Sequence, residues 1–211
     1  MVKMPLVQPD RRLLLQAQTG DERAFAELVR MYETPVFDYI RRLLPDRTLA
    51  EDLTQEVFLS VYQGLPRFAG RCQFTSWLFQ VTRYRVLDEI RSTKRRPRTE
   101  TLEAAPEFSS IDAPPEQRQA LAALWEAVGD LKLELKMPLL LRDVVGLSYA
   151  EIADSLEIEV TTVKWRIFRA REIVAEELER QGHSFGATAP VEERPLLAVG
   201  VVPAAAAAAK P

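Results

Sequence analysis

Apolar positions recur at helical spacing along most of the chain. Over residues 11–45, Phe25, Leu28, Val29 and Tyr32 are followed by Val36, Phe37, Ile40, Leu43 and Leu44. The run predicts helix, with Asp21 placed to cap a helix start and Pro45-Asp46 ending it. A second amphipathic stretch, 49–64, carries Leu53, Val57, Val61 and Leu65 at spacing four, and Gly64 to Gly70 with Pro66 is a break. A third helix over 74–93 is built on Phe74, Trp77, Leu78, Val81, Val86, Leu87 and Ile90. Nothing alternates with period two for long enough to suggest a sheet. Residues 97–119 hold four prolines among Glu, Ser and Thr and read as a linker that buries little.

Helical periodicity then resumes. Leu121, Leu124, Val128, Leu131 and Leu135 predict a helix over 120–135. An apolar run over 138–145, interrupted by Arg142 and Asp143, ends at Gly146. Two further helices are expected over 148–156 and 161–179, and from 182 the pattern is lost. The expected fold is therefore all-α. Two small helical domains, 10–96 and 120–181, flank a flexible linker at 97–119, and a disordered tail follows over 182–211. A tail helix docked on the second domain is the alternative.

The last two helices carry the strongest functional signal. Ser148 precedes the first, with Glu151 three residues on, the spacing of a capping box. Tyr149, Ile152, Ala153 and Leu156 form its inner side. Thr161 or Thr162 is expected to cap the second helix, with Val163, Ile167 and Ala170 inward and Lys164, Arg166, Arg169 and Arg171 across the outer surface. Two short helices joined by a tight turn, the second basic, describe a helix-turn-helix. A solvated helix pair with its bases serving solubility is the competing reading. The lack of any acid from Val160 to Arg171 weighs against it.

Charge refines this picture. The 211 residues include 28 Lys+Arg and 31 Asp+Glu, a formal net charge of -3. Residues 1–98 carry 17 bases and 12 acids, whereas 120–181 carry 8 bases and 12 acids. An acidic average does not exclude a nucleic-acid partner when bases cluster locally. They cluster at Arg91, Lys94, Arg95, Arg96 and Arg98, behind a helix whose Phe74, Trp77 and Tyr84 alternate with Arg83 and Arg85. Aromatic faces can stack on unpaired bases while arginines neutralise the backbone. The same aromatics also suit an ordinary core stripe. Glu51, Asp52, Gln55 and Glu56 form an acidic face opposite Leu53, Val57 and Val61, suited to a basic protein partner or simply to water.

One Cys and one His leave no framework for disulfides or a thiolate metal site, so neither metal nor cofactor is expected. Cys72 and His183 lie far apart in sequence, and no glycine-rich phosphate loop or nucleophile elbow is present, which argues against an enzyme. With no secretory signal and no run of 18 apolar residues, a reduced, cytoplasmic protein without membrane insertion is expected.

In this order, FAELVRMYETPVFDYIRRLL, LAEDLTQEVFLSVYQGLPRF, FTSWLFQVTRYRVLDEIR and LLLRDVVGLSYAEIADSLEIEVTTVKWRIFRAR resemble the extracytoplasmic-function (ECF) sigma factors of the bacterial sigma-70 family. The resemblance spans about 21 to 180, the first three segments looking like region 2 and the last like region 4. It implies a protein that gives core RNA polymerase its promoter specificity. Asp52, Gln55 and Glu56 would meet the polymerase. Phe74, Trp77, Tyr84, Arg85 and Arg91 would open and read the -10 element. Lys164, Trp165, Arg166, Phe168, Arg169 and Arg171 would meet the -35 duplex. It also implies an anti-sigma partner. Other readings are a helix-turn-helix regulator, or a sigma-like adaptor that works only through proteins. The sequence departs from the family pattern at Tyr84, where Asn is usual, and at Trp165, where a small residue is frequent. Glu157 stands in place of the turn glycine, and Pro138 lies in a stretch that lacks the usual Pro-x-x-x-Arg pattern.

Overall fold

The computed structural model describes residues 6–95, 115–184 and 202–203. Among the described residues, eight α-helices fall into two domains. Helix α1 (Arg11–Gln18), α2 (Glu22–Leu43), α3 (Arg47–Gly64) and α4 (Phe74–Arg95) form the first. Helix α5 (Pro115–Gly129), α6 (Leu133–Leu140), α7 (Tyr149–Leu156) and α8 (Val160–Arg180) form the second.

The long first periodic run is two helices. Gly20, at φ 92, turns the chain between them, and Asp21 starts α2 by accepting hydrogen bonds from the backbone N–H groups of Arg23 and Ala24. Asp46 does the same for α3 through Leu49 N–H. Such a cap satisfies N–H groups that have no partner within the helix and stabilises by about 1 kcal/mol. α2 continues through Pro35, which forfeits one internal hydrogen bond, while Tyr32, Val36, Tyr39 and Ile40 around it are fully buried. α3 buries the spacing-four stripe Leu53, Val57 and Val61, with Leu65 following it. Against these, α4 packs Phe74, Leu78, Phe79 and Val86.

In the second domain the expected helix over 120–135 is interrupted. α5 begins earlier, at Pro115, a residue suited to a first helical turn because its missing N–H would be unpaired there anyway. It ends at Gly129, and α6 restarts at Leu133 with Pro138 inside. α6 runs into a π turn at Leu141–Val145, closed by Gly146 at φ 90, whose N–H donates to Leu141 O. The capping box of α7 is present in both directions. α8 starts at Val160 behind an N-cap residue, Glu159, that makes no side-chain cap, so Thr161 and Thr162 lie inside its first turn rather than capping it.

A second difference concerns the ends. Residues 97–114 of the expected linker lie outside the described residues. So does most of the tail, but His183–Ser184 pairs antiparallel with Val202–Pro203 as β1 and β2, and β2 lies against α5. The sequence pattern gives no warning of a two-residue ladder, which is too short to show a period.

The two domains also pack on each other. α4 lies along α7, and α2 meets α6 and the π turn. The Arg42 guanidinium sits 3.3 Å from the centre of the Trp125 ring, and burial pulls its pKa down to about 10. At the other end, Gln8 Nε2 donates to Glu151 of α7 at 2.9 Å and hydrogen-bonds Thr75 of α4.

Candidate nucleic-acid interface

Three exposed faces carry the candidate residues. On α3, Asp52, Gln55 and Glu56 are all exposed, opposite the buried stripe. Leu59 and Tyr62, 58% and 43% exposed, extend that face by one helical turn. Sequence reasoning passed over both residues. Their signal is that they fall off the spacing-four stripe that fills the core.

On α4 the aromatics divide. Phe74 is 3% exposed and packs on Tyr32, with ring centres 5.4 Å apart, so it belongs to the core and cannot present a stacking face here. Trp77 is half-buried and closes a cluster of three rings with Phe68 at 5.0 Å and Phe74 at 5.9 Å. Gly64 makes room for its indole: a Cβ there would lie 3.0 Å from Trp77 Cζ2. Tyr84, Arg85 and Arg91 are exposed. Arg85 Nε donates to Ser60 Oγ at 2.9 Å, and Arg91 pairs with Asp88 at 3.1 Å. Lys94, Arg95, Arg96 and Arg98 have no described side chains.

On α8, Lys164, Trp165 and Arg169 are exposed, Trp165 by 61%, while Arg166 and Phe168 are half-buried. Arg169 pairs with Glu172 at 3.1 Å, and the Lys164 ammonium lies 5.8 Å from the Tyr149 ring. Arg171 does not join this face. It is buried and pairs with Asp143 of the π turn at 2.7 Å, the two side chains 5% and 3% exposed. The sequence reading placed it outside because its charge suggested water. The helical phase puts it beside Ala170 and Val174 instead, and a buried acid on the π turn makes that position tenable.

Glu157 is the other residue whose role the sequence did not reveal. It ends α7 in the left-handed conformation at φ 56, alone among the described non-glycine residues in having positive φ. Such a conformation costs a side-chain-bearing residue roughly 1–3 kcal/mol. Its carboxylate accepts from Tyr84 Oη at 2.5 Å, Arg83 Nη1 at 3.0 Å and Gln80 Nε2 at 3.0 Å. The bonds from Tyr84 and Arg83 hold its pKa below the usual carboxylate range, and the same contact raises that of Tyr84. At the other end of α7, burial pushes Glu151 up, but bonds from Ser148, Thr75 and Gln8 outweigh it and leave the carboxyl lowered. Cys72 has its thiol pKa raised by burial and by the charge of Asp154.

Among the described residues, no three His, Cys, Asp or Glu side chains gather as around a metal ion, and no helix is long and apolar enough to cross a membrane.

Comparison with known proteins assigns these faces to regions. Residues 28–96 match the model of Sigma-70 region 2, and 121–174 match that of Sigma-70, region 4. The RNA polymerase sigma-H factor of Pseudomonas aeruginosa is 31% identical over 82% of this chain and 95% of its own length. The chain belongs to the sigma-70 family, as a sigma factor of the ECF type. The ECF RNA polymerase sigma-E factor of Escherichia coli K12 is likewise 31% identical, over 78% of this chain and 92% of its own. In structure, this sigma factor is similar to CnrH, solved in complex with the cytosolic domain of CnrY. The TM-score is 0.64 at 26% identity, covering 81% of this chain and 97% of that one. The sigma factor RpoE of Bartonella quintana, solved with the anti-sigma factor NepR, shares the fold at TM-score 0.61 and 20% identity, over 74% and 98% of the two chains. Region 2 of this sigma factor thus comprises most of α2 with α3 and α4, and region 4 runs from α5 into α8.

Proposed function

We propose that this sigma factor binds core RNA polymerase through the α3 face, opens and reads the -10 element with α4, and holds the -35 duplex with α8. One observation carries the reading: a single chain bears both sigma regions, and each offers exposed side chains of the chemistry its task needs. Asp52, Gln55 and Glu56 suit a basic polymerase surface, with Leu59 and Tyr62 supplying apolar area beside them. Trp77, Tyr84, Arg85 and Arg91 combine ring faces and cations, as single-stranded DNA requires, while Phe74 packs behind them. Lys164 and Arg169 neutralise phosphates of the duplex, and Trp165, with Arg166 and Phe168 beside it, offers an apolar face to a thymine methyl. Arg171 sets the position of α8 from inside. The nucleotide chemistry belongs to the polymerase, and the protein acts with it in the cytoplasm. An anti-sigma factor is a further partner, a reading supported by the similar CnrH having been solved with a bound protein domain.

The test is assembly. Purified protein mixed with core polymerase and a promoter fragment should form a complex in which a short stretch of DNA near the start site becomes reactive to permanganate. A protein that shifts the duplex equally well without core, and never opens it with core, would be a regulator of another kind.

A further inference from the structure

The Glu157 contact joins two observations that the promoter reading does not use: a non-glycine residue held at positive φ, and three donors converging on its carboxylate. Gln80, Arg83 and Tyr84 stand at i, i+3 and i+4 on α4 and therefore share one face. One guanidinium, one amide and one phenol aimed at a single anion are the groups that hold a DNA phosphate. We propose that Gln80, Arg83 and Tyr84 form a phosphodiester-binding site on α4, and that Glu157 fills it from region 4 as an internal substitute for the phosphate. The free protein then rests in a closed form, with part of its strand-reading face covered by its own second domain.

The chemistry of the contact suits a reversible cover. Arg83 and Glu157 are 21% and 47% exposed as a pair, so water competes for both. At the other end of α7, Thr75 of α4 donates to Glu151 at 2.8 Å, and Gln8, ahead of α1, donates to the same carboxylate. α8 keeps Lys164, Trp165 and Arg169 exposed in the same form. The closed protein thus covers part of its single-strand face and leaves its duplex face open. Separation of the domains on the polymerase would free the site for DNA.

This inference rests on the reading of α4 as a DNA-facing helix, and the experiment keeps the two apart. Glu157→Gln removes the charge and keeps the backbone strain, whereas Glu157→Gly removes both. The probe is a fluorescein-labelled single-stranded oligonucleotide of mixed sequence, titrated with the full chain in the absence of polymerase. Both variants should bind it about twofold to fivefold more tightly than the parent, the range an exposed ion pair can supply. Adding Arg83→Ala to either should abolish the gain. Unchanged affinity in both variants, with melting curves showing both folded, would overturn the internal substitute. A separate arm measures promoter opening by the polymerase complex with Arg83→Ala alone. A defect there upholds the site. Opening as efficient as the parent's would overturn the phosphodiester site, whatever Glu157 does.

Discussion

Helices α4 and α8 make an instructive pair. Both are long, both are proposed to meet DNA, and both carry an arginine that the sequence alone would send to solvent. In α4 that arginine, Arg83, reaches across to a carboxylate of the other domain. In α8, Arg171 turns inward to a carboxylate of its own domain and is lost to the surface. The difference is burial. A partly exposed pair between domains can be exchanged for another partner at little cost. A buried pair cannot, because parting it strands a charge in an apolar interior. Similar residues therefore yield an exchangeable contact in one helix and a fastening in the other.

The strongest way to break that contrast is Arg171→Ala. Leaving Asp143 buried without this partner should destabilise the second domain by about 3–5 kcal/mol in thermal or denaturant unfolding. A folded, stable variant that had lost only duplex affinity would put Arg171 back among the DNA contacts. Next comes the support of Trp77. Gly64→Ala places a methyl 3.0 Å from Trp77 Cζ2 and should cost about 1–3 kcal/mol of stability unless the ring shifts. If the indole moves instead, opening activity should fall while the melting temperature holds.

Arg169→Ala should leave stability within about 0.5 kcal/mol of the parent. It should lower duplex affinity similarly across promoter sequences and reduce the salt slope by about one. Trp165→Ser should instead change which sequences are preferred. The smallest effect concerns acid. Glu157 and Glu151 have lowered pKa values in the closed form, so their contribution is present above the ordinary carboxylate pKa and is lost as pH falls through the lowered values. The groups facing them are Tyr84, Arg83, Gln80, Thr75, Gln8 and Ser148. Small-angle scattering should therefore show the chain expanding only once pH falls below the ordinary carboxylate range, before the helices melt.

Much of this architecture was legible from periodicity. The stripe Leu53, Val57, Val61 and the inward set Val163, Ile167, Ala170 are buried as their spacing implies, and Ser148 with Glu151 forms the capping box. What escaped depends on contacts distant in sequence. The Arg171–Asp143 pair lies 28 residues apart, and the Glu157–Tyr84 contact 73 apart. A local pattern carries no information about either. Phe74 was ambiguous because a stacking aromatic and a core aromatic occupy the same helical phase until the neighbouring helices are in place. The break between α5 and α6 was missed because Leu131 and Leu135 continue the apolar rhythm across it.

The central claim is that this protein gives the polymerase its choice of start site through two separate DNA faces. The direct measurement is to transcribe fragmented genomic DNA with core polymerase, with and without the purified protein, and to sequence the 5′ ends of the RNA. The account predicts a discrete set of start sites that appears only with the protein and shares two short sequence elements at a fixed spacing. Start sites distributed as they are for core alone, in the presence of folded protein, would contradict it.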